Sequence, residues 1–210
     1  EIVGCDWSSD VCSSDLEGGK NFTEVNGKAV LKPSAKNDKG GPTAYGVTQG
    51  TLSAAYAKNI VQHNDITKLT RDEAKYIFRA NYWDRYGWGA FPWPICLILF
   101  DMTIHHGPGG MAKIAQRACT SYGYKPDLLI DGKWGPKTKQ AVLDISRTAP
   151  GELARLMLLH RKEFFDVIIQ RDPRQEGFRK GWYNRIKNIA KASGVDRKST
   201  RLNSSHNQRS

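Results

Sequence analysis

The stretch that most constrains the fold is residues 17–49, EGGKNFTEVNGKAVLKPSAKNDKGGPTAYGVTQ, which has a carboxylate and a glycine pair near each end. Glycine lets the backbone turn sharply or approach a ligand closely, because it has no Cβ atom. Between the glycine pairs, Asn26-Gly27 is a typical type I′ hairpin turn. A chain folding back there would bring Glu17 and Asp38 to the two sides of one cleft.

The order of these residues resembles the signature of glycoside hydrolase family 108, the phage and bacterial peptidoglycan muramidases. That signature is EGG followed by D-x-G-G-x-T-x-Y-G-[IV]-T. The chain matches it with Glu17-Gly18-Gly19 and with DKGGPTAYGVT at 38–48, although the segment between the two blocks is longer than is usual. The resemblance implies a mainly α (α+β) fold, a lysozyme-like helical domain with a small β hairpin at 20–48 flanking the cleft.

The resemblance also implies which side chains carry the chemistry. Glycoside hydrolysis needs an acid that protonates the leaving oxygen and a group that attacks or stabilises the sugar cation. Glu17 is expected to be the general acid, with Asp38 and Thr43 holding the attacking water. The alternatives are a helix-end carboxylate for Glu17 and an Asx turn for Asp38. Three further residues are expected either to line the sugar cleft or to be structural: Tyr45, Thr48 and Gln49.

A second resemblance covers DMTIHHGPGGMAKIAQRA, DGKWGPKTKQAV and GWYNRI, which lie between residues 101 and 186. They are similar to D-x-x-V-N-H-G-x-x-x-A-x-x-x-L-Q, D-G-x-x-G-P-x-T and G-W-x-x-R of the predicted peptidoglycan-binding region that follows the muramidase part in this family. Three polar residues are expected to bind substrate in the cleft, or to form a polar seam: Asp101, His105 and His106. The segment from Asp131 to Thr138 is predicted to be a turn and a helix start.

No metal or other cofactor is expected. His105 and His106 are neighbours in a predicted helix, so their side chains point about 100° apart and do not readily share one ion. Cys96 and Cys119 lie in apolar stretches, are too few for a zinc site, and are predicted to be buried free thiols.

Helical periodicity dominates after residue 50. The predicted helices are 51–62, 70–83, 95–106, 109–122, 136–147, 150–170 and 173–192. Thr70 and Glu73 match a capping box, and Tyr56, Ile60 and Phe178 are among the residues predicted to face inward. The aromatic segment WDRYGWGAFPWP, at 83–94, is predicted to be a loop that either stacks on sugars or closes the core.

Both ends of the chain are predicted to be translated sequencing adaptor. Residues 6–16, DWSSDVCSSDL, back-translate to a DNA whose reverse complement encodes DRKSTRLNSS, the sequence of residues 196–205. Two ends of a natural protein have no reason to encode complementary strands; the alternative is a natural Ser-rich linker or tail. We therefore assign 1–16 and 196–210 to adaptor, 17–90 to a lysozyme-like catalytic region, and 91–195 to a helical peptidoglycan-binding region packed on it.

The charge of residues 17–195 narrows the range of partners. They carry 28 basic and 16 acidic side chains, a balance of +12 that favours polyanions. No helix-turn-helix or RNA-binding motif is present, so an anionic cell wall is expected rather than nucleic acid. No apolar run is long enough for stable membrane insertion. We expect a monomer made in the bacterial cytoplasm that acts on the cell wall, in the periplasm or outside the cell, by an unknown export route.

The sequence therefore predicts a bacteriolytic, endolysin-like N-acetylmuramidase that cleaves between N-acetylmuramic acid and N-acetylglucosamine. A lytic transglycosylase with the same substrate is one alternative. A non-catalytic cell-wall-binding protein is another, although such a protein would tolerate loss of Glu17, and the Glu17-Gly18-Gly19 cluster is intact.

Overall fold

The computed structural model describes residues 19–33 and 41–195 of the 210-residue chain. Within these ranges the fold is mainly helical, as the sequence predicts, and the region where one β hairpin was predicted forms two small antiparallel sheets. The contacts divide the chain into two compact units. The described residues up to 87 form the first unit, and residues 88–195 form the second.

The first unit opens with a β hairpin made of β1 (Phe22–Val25) and β2 (Lys28–Leu31). Phe22 pairs with Leu31 and Val25 with Lys28. The turn residues Asn26 and Gly27 have φ values of 50° and 72°, the left-handed backbone that a type I′ turn requires. The hairpin predicted from Asn26-Gly27 is therefore confirmed.

A second, shorter hairpin follows, made of β3 (Thr43–Ala44) and β4 (Val47–Thr48). Thr48 then caps α1 (Gln49–Ala57), because its side chain accepts a hydrogen bond from the backbone N–H of Thr51. The helix ends earlier than predicted, since Asn59 has a left-handed φ of 57°. Tyr56 was predicted to face inward but is 47% exposed, and Ile60 lies beyond the helix.

The capping box predicted at Thr70 and Glu73 is confirmed. Glu73 donates its backbone N–H to the Thr70 hydroxyl at 3.2 Å, and its carboxylate accepts the backbone N–H of Thr70 at 2.9 Å. This box starts α2 (Arg71–Phe78), which continues as a π-helix over Arg79–Asp84. The helical path therefore runs through Trp83, where a loop was predicted to begin.

The second unit is built around α3 (Ile95–Tyr122), which packs chiefly against α5 (Pro150–Arg171). Gly107 interrupts α3 with a non-helical φ of 65°, so the break predicted between two helices lies where expected. The stretch from Ile95 to Phe100 is fully buried. The remaining elements are a 3₁₀ turn at Trp88–Ala90, α4 (Pro136–Thr148), a 3₁₀ segment at Pro173–Phe178, and α6 (Arg179–Ala192).

Two predictions for the second unit are wrong. Phe178 is 59% exposed, because it ends the 3₁₀ segment instead of lying on the inner face of α6. Cys119 is a buried free thiol as predicted, and burial raises its pKa to about 12, but Cys96 is disulfide-bonded. None of the described helices combines the length and the apolar character needed to cross a membrane.

Candidate functional site

The residues predicted to form the site are distributed over the two units. Glu17 and Asp38 lie outside the described residues. Four of the others belong to the first unit: Thr43, Tyr45, Thr48 and Gln49. The remaining three belong to the second unit: Asp101, His105 and His106.

Residues 19–21 lie antiparallel to β3. The backbone N–H of Tyr45 donates to the Gly19 carbonyl at 3.3 Å, Lys20 forms a bridge with Ala44, and the N–H of Asn21 donates to the Thr43 carbonyl at 3.0 Å. The Asn21 side chain reinforces this pairing, since its Oδ1 accepts the Thr43 N–H at 2.7 Å. Gly19, the last residue of the EGG block, is thereby held against the second block of the signature.

The Thr43 hydroxyl is half-buried and donates to the Gly41 carbonyl at 3.1 Å. A threonine hydroxyl has one proton to donate and two lone pairs that accept. With its proton committed to Gly41, the Thr43 oxygen is oriented to accept a hydrogen bond from a water or a sugar hydroxyl.

Tyr45 has a left-handed backbone, with φ at 51°, and Gly46 follows at 78°. Positive φ is uncommon for a side chain larger than Asn, so glycine would be the less strained choice at Tyr45. The guanidinium of Arg71, the first residue of α2, lies over the Tyr45 ring at 5.6 Å from its centroid. A cation at this distance attracts the ring face and fixes its orientation.

Thr48 and Gln49 are both used within the fold. The Thr48 hydroxyl is the N-cap of α1. The Gln49 amide nitrogen donates to the side-chain and main-chain oxygens of Asn64, at 2.9 and 3.1 Å, while its oxygen accepts the Ile66 N–H at 3.2 Å. Gln49 therefore ties α1 to the loop before α2.

Sequence analysis did not identify Lys20 and Asn21 as residues that shape this region. The Lys20 ammonium donates to the Thr67 carbonyl at 2.7 Å, and the Lys32 ammonium donates to the Lys20 carbonyl at 2.7 Å. The sequence offered a single indication of their importance, which is that both residues directly follow the EGG block.

Asp101 lies in the interior of the second unit, with 1% of its surface exposed. Arg161 donates to its Oδ2, and Arg185 donates to its Oδ1 from Nε at 2.9 Å and from Nη2 at 2.5 Å. Burial raises the pKa of Asp101, but the two guanidinium groups outweigh it and lower the pKa to about 2. Asp101 is thus an ionised carboxylate enclosed by arginines.

His106 extends this group of charges. Its Nε2 accepts a hydrogen bond from Arg161 Nε at 3.1 Å, and its ring packs against Phe164 and Phe165 at centroid distances of 5.0 and 4.8 Å. Burial and the charge of Arg161 lower the pKa of His106 from 6.5 to about 3. His106 is therefore neutral near pH 7. The side chain of the preceding residue, His105, is exposed.

The pairing of Asp101 with Arg185 connects the first and last motifs of the second resemblance. Asp101 begins the D-x-x-V-N-H-G-like motif, and Arg185 ends the G-W-x-x-R motif. Sequence analysis missed Arg161, which is fully buried. Its position in the sequence could have revealed it, since Arg161 lies one helical turn from Met157 and one from Phe165 on the apolar face of α5. A cation on such a face needs a buried acid as its partner.

The middle motif has a structural explanation as well. Gln116 is 2% exposed, and its amide nitrogen donates to Asp131 Oδ1 at 2.9 Å and to Thr138 Oγ1 at 3.1 Å. Its amide oxygen accepts the Gly132 N–H at 3.0 Å. The network fixes the turn at Asp131-Gly132 and the start of α4, as the sequence predicts.

The tryptophans of the aromatic segment differ in exposure. Trp83 and Trp88 are buried in their respective units, which favours core closure over sugar stacking for both. Trp88 packs edge-on against Trp134 at 5.3 Å. Trp93 is 37% exposed. In the described part of the chain, no cluster of three or more His, Cys, Asp or Glu side chains is arranged to hold a metal.

Comparisons with known proteins agree with this architecture. Residues 25–107 match the family model described as glycosyl hydrolase 108, and residues 111–187 match the one described as predicted peptidoglycan domain. No curated protein matches the chain. Among solved structures, the chain is similar to that of Brucella abortus SagA, with 25% identity and a TM-score of 0.60 over 91% of this chain and 92% of that chain.

Proposed function

We propose that the chain is an N-acetylmuramidase, because its residues 25–107 match the family model described as glycosyl hydrolase 108. The family makes the chain a glycoside hydrolase that acts on peptidoglycan, and the domain at 111–187 agrees with that substrate. The proposal adds the bond that is cut, between N-acetylmuramic acid and N-acetylglucosamine, and the acid that cuts it, Glu17.

The observation that carries the proposal is the pairing of residues 19–21 with β3. Gly19 is bonded to Tyr45, and Glu17 precedes Gly19 by two residues. The first block of the signature therefore meets the second at Gly19 and Tyr45. This supports a site in which the two blocks of the signature act together.

In the proposed reaction, Glu17 protonates the glycosidic oxygen as the bond to the anomeric carbon breaks. A water on the opposite face of the sugar ring gives one proton to Asp38 and attacks the oxocarbenium-like carbon. The Thr43 oxygen accepts a hydrogen bond from the other O–H of that water, which stays on the oxygen and becomes part of the product hydroxyl, because the proton of Thr43 is committed to Gly41. The products are two shorter glycans, one of them with N-acetylmuramic acid at its reducing end.

Among the residues predicted to bind the sugar, we propose that Tyr45 contacts it directly in the first unit; we propose separately that His105, in the second unit, contacts peptidoglycan. The ring of Tyr45 is fixed by Arg71, and His105 is exposed. The hydrogen bonds of Thr48, Gln49, Asp101 and His106 favour a supporting role for these four, which hold the surrounding backbone and charges in place.

The decisive experiment is loss of turbidity of purified peptidoglycan, with the products identified by mass. Glu17→Gln should abolish turbidity loss while sedimentation with peptidoglycan is retained, because the amide has no acidic proton to donate. Glu24→Gln is the matched control, since Glu24 is an exposed carboxylate of the same unit and should leave the rate unchanged. Undiminished lysis by Glu17→Gln would contradict the proposal.

The mass of the products separates the alternatives. Reducing-end N-acetylmuramic acid supports hydrolysis, whereas 1,6-anhydro products would identify a lytic transglycosylase, in which no water is consumed. Binding without any release would identify a non-catalytic wall-binding protein.

We further propose that the enzyme is a monomer that is made in the cytoplasm, acts on the wall and lyses bacteria as phage endolysins do. Size-exclusion chromatography tests the oligomeric state, and lysis of expressing cells tests the bacteriolytic activity.

A further inference from the structure

A groove of about 710 Å³ lies between the middle of α5 and the C-terminal half of α6 in the second unit. Its floor is aliphatic, with Leu158, Leu159 and Ile186 among the lining residues. Its volume falls in the range of sites that take small ligands or short peptide segments. The groove is made from the region that matches the predicted peptidoglycan domain and the few residues that follow it.

Cations line the rim of this groove. Arg155 is held by Glu152, with one contact at 2.9 Å, and Lys162 is held by Asp166 at 2.9 Å. Lys187 and Lys191 are exposed and one turn apart on α6. Across residues 19–33 and 41–195, no carboxylate is paired with either of these two lysines. Two like charges at this spacing repel each other, so a bound anion would relieve the repulsion.

The lining also argues against sugar as the ligand of this groove. Of the described residues that line it, none is aromatic and none is acidic. Glycans are bound by stacking on aromatic rings and by hydrogen bonds to neutral polar groups, and the glycan rings of peptidoglycan carry little charge. The peptide stems of peptidoglycan have the opposite character, because they carry free carboxylates spaced by alanine methyl groups.

We propose that this groove is the peptidoglycan-binding site of the second unit and that it binds the acidic stem peptide, not the glycan strand. In this arrangement Lys187 and Lys191 contact stem carboxylates, and the methyl groups lie on Leu158, Leu159 and Ile186. The inference rests on the proposed function only in taking peptidoglycan as the substrate. Its consequence is that the chain is held on the wall through the peptides while the glycan remains free for cleavage.

The test is calorimetric titration of the full chain with the stem tetrapeptide of peptidoglycan. Two comparison ligands are the same tetrapeptide with amidated carboxylates and a peptide-free chitotetraose. The free-acid peptide should bind, and its affinity should fall as the salt concentration rises from about 0.05 to about 0.5 M, because screening weakens exposed charge pairs. The amidated peptide should bind at least about fivefold more weakly.

A double substitution, Lys187→Gln with Lys191→Gln, should weaken binding of the free-acid peptide at least about fivefold. The matched control is Lys137→Gln with Lys139→Gln, which removes the same charge from exposed positions of α4 outside the groove. The proposal is overturned if the unaltered chain does not bind the free-acid peptide, if the amidated peptide binds equally well, or if the two double variants behave alike.

Turnover of peptidoglycan reports separately on the proposed function. Stem-peptide binding without turnover would keep this inference and remove the muramidase proposal. Turnover without stem-peptide binding would do the reverse. Tight binding of chitotetraose that the Lys187/Lys191 variant loses would instead assign the groove to the glycan and overturn the inference.

Discussion

Arg185 donates two hydrogen bonds to a single carboxylate oxygen of Asp101, at 2.9 and 2.5 Å, and so joins two positions 84 residues apart. Arg161 takes the other oxygen of the same carboxylate. One acid therefore links α3 to both α5 and α6. The aspartate of the first motif and the arginine of the last motif in the second unit therefore have a structural explanation. Neither residue needs a catalytic role to account for its presence.

We expect Asp101→Asn to destabilise the second unit by about 3–5 kcal/mol, because it leaves two arginines without their buried counter-charge. Guanidinium chloride unfolding, followed by tryptophan fluorescence, measures the change. Asp127→Asn is the control: Asp127 pairs with Lys125 at the surface and should cost less than about 1 kcal/mol. Equal effects of the two substitutions would contradict the structural role given to Asp101.

The half-buried His106 should make stability depend on pH in the mildly acidic range. Its folded pKa is lowered to about 3, below the 6.5 of the unfolded chain. The unfolded state therefore binds a proton that the folded state excludes, so stability is full above pH 6.5 and falls as the pH decreases towards 3. The slope should be on the order of 1 kcal/mol per pH unit.

Unfolding free energies measured between pH 4 and pH 7 test this dependence. His106→Gln should flatten the curve, because glutamine does not titrate. Asp101 should add a second loss of stability at lower pH. Its pKa is lowered to about 2 in the folded state, so its stabilising charge is lost only as the pH falls from about 4 through about 2.

The sequence predicted the features whose causes are local. The turn at Asn26-Gly27, the capping box at Thr70 and Glu73, and the break at Gly107 each depend on a few adjacent residues. The same patterns misplaced Tyr56 and Phe178. Helical periodicity does not say where a helix gives way to a left-handed residue or to a 3₁₀ turn.

The contacts that define the candidate site are non-local and could not be read from spacing. The Asp101–Arg161 pair and the docking of Gly19 on Tyr45 depend on how distant segments meet. Sequence analysis expected Asp101 in the cleft or in a polar seam, and it missed Arg161. Their pairing with each other became evident only once α3 and α5 were seen to pack.

Gln116→Leu should destabilise the start of α4 by about 1–3 kcal/mol, because it removes the hydrogen bonds of Gln116 to Asp131 and to the buried Thr138 and leaves the Gly132 N–H without its acceptor. Hydrogen exchange of the Gly132 amide is the direct measurement and should become faster. Gln140→Leu is the control on the exposed face of α4 and should not change exchange at Gly132.

Removal of residues 196–210 should change neither the unfolding midpoint nor the rate of peptidoglycan turnover, since these residues are assigned to translated adaptor. Paired denaturation curves and turbidity assays of the full and shortened chains provide the comparison. A clear loss of either property would mean that the tail is a natural part of the protein.

Tyr45 offers a test that separates the cost of its backbone from the use of its ring. Its φ of 51° suits Asn or Gly better than Tyr, so Tyr45→Asn should keep the turn and leave the unfolding free energy within about 1 kcal/mol of the unaltered chain. If the ring contacts sugar, as we propose, the same substitution should lower kcat/KM on peptidoglycan about tenfold or more. Tyr56→Asn is the matched control, because Tyr56 is exposed on α1. Unchanged turnover with Tyr45→Asn would show that the tyrosine serves only to pack under Arg71, and the strained turn would then have no catalytic explanation.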